Sequence, residues 1–451
     1  MGSPSALGLS APTRRGLLEM SGYQWTVLFA AWLGWGFDCF EIMLFNIVAP
    51  NCVPTLLHLE IGSAPARAAT LYYTGVLSSL LLVGWAIGGI LFGHVCDRIG
   101  RRRTMVLTMG LYSVGTALCA AAPNIATLIL FRLIASLGIG GEWAAGASMV
   151  AEVVPERRRV EAGALLFTAS PLGLFLASQV AYLVQGVAFP GSPELAWRYV
   201  FLAGLIPAGV AVLVRRSIRE PERWTEVART THPRLAELFR GSLLHPTLSG
   251  LGLVIVALTT WWSCNAFIGV VASGLAEARA AADGLDRAAT QVLIQEWIRF
   301  TTNLFNAGGV LGTLLTIPLA KYGGRRLMFA AYALLSAAAV LGTFGLELAP
   351  EQRLYGYFFI GLGLFGIFGA FTFYLPELFP TRLRGTGAGF CFNAGRFIAA
   401  FGPLVVGGVA ARGRDALATA LGLLFWVGFV PLCGLALLPW VIETRHRELL
   451  D

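Results

Sequence analysis

Apolar runs about as long as a membrane is thick recur along the whole chain, separated by short polar segments rich in arginine. A helix crosses the hydrocarbon core with about 20 apolar residues. Counting on that basis predicts twelve spans, at roughly 24–50, 70–95, 104–122, 125–150, 161–186, 197–215, 247–274, 292–319, 327–346, 354–375, 385–410 and 417–440. Several exceed the core thickness, so they tilt or protrude. The pattern is that of an all-α membrane protein whose main solvent is lipid.

Composition sharpens this picture. Of 451 residues, 56% are hydrophobic and 13% charged, against about 25% charged in soluble domains. The net charge of +8 does not indicate a nucleic-acid partner, because the basic residues form neither a stripe nor a basic domain. Lys321 is the only lysine. No G-x-x-x-x-G-K-[ST] motif is therefore possible, and a P-loop ATPase is excluded. Uphill transport would draw on an ion gradient or on a separate partner. With the N-terminus inside, 23 basic residues fall in cytoplasmic segments and 8 in the opposite ones, with Arg132 and Arg396 within spans. The positive-inside rule then puts both termini in the cytoplasm of a multi-pass protein of the cell membrane.

The stretch 216–246 is polar, arginine-rich and punctuated by Pro221, Pro233 and Pro246. It divides the chain into an N-terminal bundle (1–215), a central cytoplasmic loop (216–246) and a C-terminal bundle with a short tail (247–451). Seven cysteines are scattered without a C-x-x-C pair, so neither disulfides nor a metal site is expected. The first twenty residues lack the apolar core of a removable signal peptide. No cofactor and no partner subunit are expected.

The two bundles share a repeat. Glu152-Val-Val-Pro155-Glu-Arg157-Arg-Arg159 follows span four, and Glu377-Leu-Phe-Pro380-Thr-Arg382-Leu-Arg384 follows span ten, at an offset of 225. Gly100-Arg101-Arg102 recurs as Gly324-Arg325-Arg326 at an offset of 224. Equivalent loops at nearly one offset define a parallel repeat about an axis along the membrane normal. The segment from Gly93 through Asp97, Arg98 and Gly100 to Arg103 resembles the signature between helices two and three of the major facilitator superfamily. It carries Val95 where leucine is commoner. Arg132-x5-Gly138-x-Gly140-Gly141-Glu142-Trp143, the Glu377–Arg384 segment and Glu443-Thr444-Arg445 resemble the branch of sugar porters and of metabolite or sialate proton symporters. The resemblance covers essentially the whole chain and implies two six-helix bundles that alternate access around a central cavity lined by spans one, four, seven and ten.

Gly361-x-Gly363-x-x-Gly366 fits a dinucleotide fingerprint only on paper, since no strand precedes it. Like Gly89-x-x-x-Gly93 and Gly308-x-x-x-Gly312, it is read as a small face for close helix packing. The cytoplasmic charges have two readings. One is topogenic, solvated charge. The other is a gate of ion pairs between the bundles, and because exposed pairs are weak singly, such a gate needs a network. The resemblance implies the gate role for Asp97, Arg101, Glu152, Arg157, Glu377 and Arg384, within a signature that includes Gly93, Arg98 and Gly100. Glu142, near the cytoplasmic end of span four, is expected to join it.

Ionisable groups at membrane depth are costly and are functional candidates by default. Asp38 and Glu41 are three apart on span one, on one helical face. Asp38 is ~20 Å from the cytoplasmic start of its helix and Arg132 ~10 Å from the outer end of span four, which gives them similar depth and predicts a pair. Burial favours the protonated carboxyl and a nearby arginine the ionised one, so Asp38 or Glu41, modulated by Arg132, is a candidate proton carrier. The alternative is a structural ion pair. Arg396 lies ~16 Å into span eleven, three residues after Asn393. Its partner is either an acidic substrate group or a buried protein carboxylate. Glu296, Arg299, Asn303 and Asn306 share one sector of span eight, the first two near its outer end. Gln179, Trp262 and Asn265 complete the candidate binding set.

Three functions follow. The first is a proton-coupled symporter of a small organic anion. The second is a sugar or polyol porter in which Arg396 is structural. The third, a non-transporting sensor, is opposed by the short loops and the lack of a soluble domain. No nucleophile–base or metal constellation suggests an enzyme.

Overall fold

The computed structural model describes residues 20–155, 158–209, 235–380 and 383–445, without the side chains of 93–94, 97–98, 101, 142–149, 151–152, 159–160 and 384–385. Among the described residues the elements are helical and fall in the predicted order. Spans one to four are α1 (Gly22–Leu56), α2 (Ala64–Ile99), α3 (Arg101–Cys119) and α4 (Ile125–Val153). Span five is α5 (Arg159–Phe167) and α6 (Ala169–Tyr182), extended by a π turn, Leu183–Ala188; span six begins as α7 (Pro193–Leu202). Span seven comprises α8 (Leu244–Asn265) and α9 (Ile268–Asp283). Spans eight to ten are α10 (Arg287–Pro318), α11 (Gly324–Gly345) and α12 (Pro350–Glu377). Span eleven is α13 (Arg384–Ala399) with α14 (Phe401–Ala410), and span twelve α15 (Ala416–Val427) with α16 (Val430–Ala436). Eight stretches of the described residues are long and apolar enough to cross a membrane, one of them, Arg287–Gly345, running through two spans.

Hydropathy marks the hydrocarbon slab rather than the helix ends. Hence α1 continues to Leu56, α2 begins at Ala64 and α9 reaches Asp283, all beyond their apolar windows. The starts are set by caps: Ser21, Ser63, Asn124, Asp286 and Asp415 each accept a hydrogen bond from the backbone N–H three residues on, worth about 1 kcal/mol apiece. Span five bends at Thr168, whose hydroxyl bonds back to the Leu165 carbonyl (2.6 Å), a local competitor of the helix ladder. Span seven breaks at Ala266–Phe267. Part of the predicted central loop is docked rather than free: Leu238 is buried, Thr247 donates to its carbonyl (3.0 Å), and Phe239 meets Phe390 edge-on.

Large apolar side chains lie on the outside as well as in the core, and a few charges lie inside. Phe401, Trp426 and Leu327 are exposed on the outside, whereas Asp38, Glu41, Arg132 and Arg396 are buried. That is the arrangement expected when the outer solvent is lipid.

The repeat has a backbone signature. Gly100, before α3, has φ of 100°, and Gly324, opening α11, has φ of 80°; both conformations favour glycine. The start of α1 and the tail at Arg445 share one face. Gln24 donates to the Val153 carbonyl (2.9 Å), while Glu443 accepts from the backbone N–H of Arg325 (3.0 Å) and Arg326 (3.2 Å). Lys321 bonds Glu161 (2.5 Å), joining the halves on that face. On the opposite face Arg67 bonds Glu277 (2.5 Å) and Arg287 bonds Glu194, again between halves.

Glu443 therefore sits on the N-terminus of α11, where backbone N–H groups favour an anion. Burial works to raise its carboxyl, but the N–H groups of Arg325, Arg326 and Arg445 and the Arg325 charge outweigh it and hold the group below its ordinary value of 4.5. A depressed carboxyl adds stability that is complete above its ordinary value and fades as pH falls through the folded one. Hydrogen exchange of 324–326, corrected for intrinsic rates, should therefore accelerate on acidification below about pH 4.5. In Glu443→Gln it should be faster already at neutral pH and should not respond to acid.

Two of the seams between the halves differ in chemistry. Along α2 and α14, backbone meets backbone: a Cβ on Gly75 would lie 2.5 Å from the Pro403 carbonyl oxygen, and Ser79 donates to the Ala400 carbonyl (2.6 Å). Along α6 and α10 the seam is polar. Ser178 and Gln179 donate to Asn303 (2.8 and 2.9 Å), and Gln185 donates to Gln295 (3.3 Å). Within the C-terminal half, Gly308, Gly312 and Gly361 press against the backbone between α10 and α12, the packing role read for them from spacing.

Candidate substrate chamber

At the level of Arg396 the two halves meet through aromatic side chains. Arg396 is 1% exposed. Its guanidinium carbon lies 4.0 Å from the ring centre of Trp85, on α2 of the other half, and 4.7 Å from that of Phe392. Nη1 donates to Asn393 Oδ1 (2.6 Å), and Asn393 in turn packs against Gly89 of α2. Nε and Nη2 find no partner among the described residues. A buried donor left unmade costs about 1–3 kcal/mol, more for a charged group. The arrangement is thus a planar cation with two open donor atoms, packed against two aromatic rings.

Asp38 is buried and acts electrostatically on Arg396, so its field is directed at the interface between halves. The expected Asp38–Arg132 pair is not formed. Arg132 donates instead to the backbone carbonyls of Glu41 (3.3 Å) and Ile42 (3.4 Å) and feels the charge of Glu41. Equal depth does not fix azimuth: three residues along a helix leave about 60° between side chains. That turn directs Glu41 into the N-terminal bundle, against Thr116 and Gly204. Thr116 is the polar neighbour of the Glu41 carboxylate there.

The other candidates divide. Trp262 is buried and meets Trp85 across the interface, centroids 6.3 Å apart. Asn265, at the break in span seven, and Asn306 on α10 are buried and leave both amide atoms without a partner among the described residues. Gln179 and Asn303 satisfy each other across the polar seam. Arg299 stacks at 4.0 Å on Tyr182, away from Arg396's cluster of contacts, and Glu296 is exposed.

Of the gate candidates, the side chains of Asp97, Arg98, Arg101, Glu142, Glu152 and Arg384, together with Gly93 and Arg157, lie outside what is described. Gly100 shapes the turn into α3. Glu377 bonds Arg325 (2.9 Å) and Thr444 (2.5 Å), both in its own half, and among the described residues these are its bonds. The bridge described on this face is Lys321–Glu161, which no motif signals. Trp85, Phe392 and Phe167 were equally invisible, since an aromatic in an apolar run has no distinguishing pattern.

Two helical bundles closing over buried charges define a multi-pass membrane transporter rather than an enzyme. The chain belongs to the major facilitator superfamily, whose model matches residues 25–403. It is 30% identical over 432 residues to a probable 4-methylmuconolactone transporter of Cupriavidus pinatubonensis, covering 94% of this chain and 92% of that one. It is 26% identical to the sialic acid transporter NanX of Escherichia coli, covering 82% and 84%. The crystal structure of a D-xylose–proton symporter superposes with a TM-score of 0.72 at 17% identity, covering 95% of this chain and 100% of that one, and so shares its fold.

Proposed function

We propose that the protein is a proton-coupled symporter of a small organic anion, with the face bearing the termini in the cytoplasm of the cell membrane. The observation that carries this reading is Arg396, a buried cation between the halves with two open donors. A carboxylate is the ligand that satisfies both at once. The relatives named for a muconolactone and for sialic acid support an organic acid over a neutral sugar. The arginine asymmetry along the chain supports the orientation.

Coupling follows from charge balance. Asp38 is a buried counter-charge that acts on Arg396. When a substrate carboxylate takes the open donors, two carboxylates compete for one guanidinium, and Asp38 accepts a proton from the outer solution. Glu41 is the second carrier candidate, facing Arg132 inside the N-terminal bundle. Rocking of the halves then exposes the loaded site to the cytoplasm. Lys321–Glu161 closes that side, and Arg67–Glu277 and Arg287–Glu194 close the other.

Proteoliposomes with an imposed inward proton gradient test the reading against labelled carboxylates and hexoses. Accumulation of an acid that collapses with the gradient is expected, and in Asp38→Asn or Glu41→Gln the accumulation should fall to equilibration. Uptake of a neutral hexose and of no acid would overturn the assignment, and unchanged accumulation in both variants would remove the carboxyls from coupling.

A further inference from the structure

Six aromatic side chains close a ring around the interface. Trp35 contacts Trp85 (centroids 6.1 Å apart), Trp85 contacts Trp262 (6.3 Å), and Trp262 contacts Trp261 (4.9 Å). Trp261 contacts Phe368 (6.2 Å), Phe368 contacts Phe167 (6.0 Å), and Phe167 returns to Trp35 (5.9 Å). All six are buried. The ring is divided evenly. Trp35, Trp85 and Phe167 belong to the N-terminal half, and Trp261, Trp262 and Phe368 to the C-terminal half. Contacts within each trio stay intact when the halves rock as bodies. Those that part are Trp85–Trp262 and Phe167–Phe368, the latter a parallel stack with rings 3° apart. The ring is therefore a pair of aromatic jaws.

Arg396 is held in the same assembly. Trp85 is at once a jaw residue and a ring packed against the guanidinium, and Phe392 contacts Phe368 (6.2 Å). The open donors of Arg396 are in the guanidinium plane, so a bound carboxylate lies in that plane. Flat π-systems meet aromatic walls in stacked or edge-on geometries and gain beyond the area they cover. A puckered or freely rotating apolar group has no such preference.

We propose, resting on the organic-anion reading above, that the jaws select flat, conjugated carboxylates, and that Trp85 is the specificity-determining residue that links the wall to the charge. The parted Phe167–Phe368 and Trp85–Trp262 contacts receive the π-system, while its carboxylate takes Nε and Nη2 of Arg396.

Binding of two matched pairs of acids to the full-length protein in proteoliposomes tests this. One pair is benzoate and cyclohexanecarboxylate, the other sorbate and hexanoate. Within each pair the carboxyl is kept and the body changes from flat to puckered or flexible. The flat member should bind about tenfold more tightly in each pair. Trp85→Leu should bring both ratios towards one, whatever its effect on the affinity for the saturated acids, and Trp85→Phe should restore the preference. Phe368→Leu, on the opposite jaw, carries the same test if the Trp85 variants do not insert. Equal affinities within both pairs in wild type would overturn the selection and leave the anion reading standing. A hexose that binds where none of the four acids does would instead overturn the anion reading itself.

Discussion

Arg396→Ala should lose at least about 100-fold in carboxylate affinity, with uptake falling accordingly. The estimate follows from two charge-assisted hydrogen bonds at roughly 1.5–3 kcal/mol each. The alanine also removes the guanidinium that packs against Trp85 and Phe392, so these rings should repack rather than leave a void. Arg396→Lys separates charge from geometry. It keeps the positive charge but neither forks to a carboxylate nor stacks as a plane, and should recover only part of the loss. Binding and uptake of labelled benzoate in proteoliposomes measure both. If the alanine variant accumulated any carboxylate at the wild-type rate, Arg396 would be a structural cation and the chamber would need another anion site.

The second large effect is expected at Gly75→Val. The added Cβ would stand 2.5 Å from the Pro403 carbonyl oxygen and 3.1 Å from the Gly407 Cα. Both are backbone atoms and cannot rotate aside. Overpacking of this kind costs about 1–3 kcal/mol, but only in the state in which α2 and α14 are in contact. The closed form of the face opposite the termini should thus be disfavoured roughly 5- to 150-fold relative to the open form. Uptake should drop while insertion and yield are retained. A cysteine at Thr70, buried on α2 near that face, should react faster with a membrane-impermeant maleimide in the Gly75→Val background. An unchanged labelling rate would show that the seam is not a closing contact.

The fold was largely legible from the chain. Twelve apolar windows, two copies of one loop motif and paired glycines at positions 100 and 324 all point to twinned helical bundles, because an apolar run of about 20 residues satisfies its backbone in lipid as a helix. Helix ends were not legible, since they depend on caps such as Ser63 and Asp286 that lie outside the apolar count. Within the chamber, depth along a helix located the buried charges, but partners depend on rotation about the axis. That is why Arg132 faces Glu41 and not Asp38. Arg396 could be found because a charge among apolar residues stands out. Trp85 could not, because its importance comes from what it stacks on in the other half. Lys321 and Glu161 are 160 residues apart, and nothing local marks them as a bond.

That bond has a practical consequence. Lys321 is the one lysine in 451 residues, so an amine-directed reagent finds a single side-chain amine in the native protein. Its Nζ is engaged by Glu161 in this structure and, on the rocking motion proposed above, is released when the halves part on that face. The acylation rate of unmodified, wild-type protein is therefore a built-in reporter of how often the molecule yawns on one side, readable without installing a label or altering a residue.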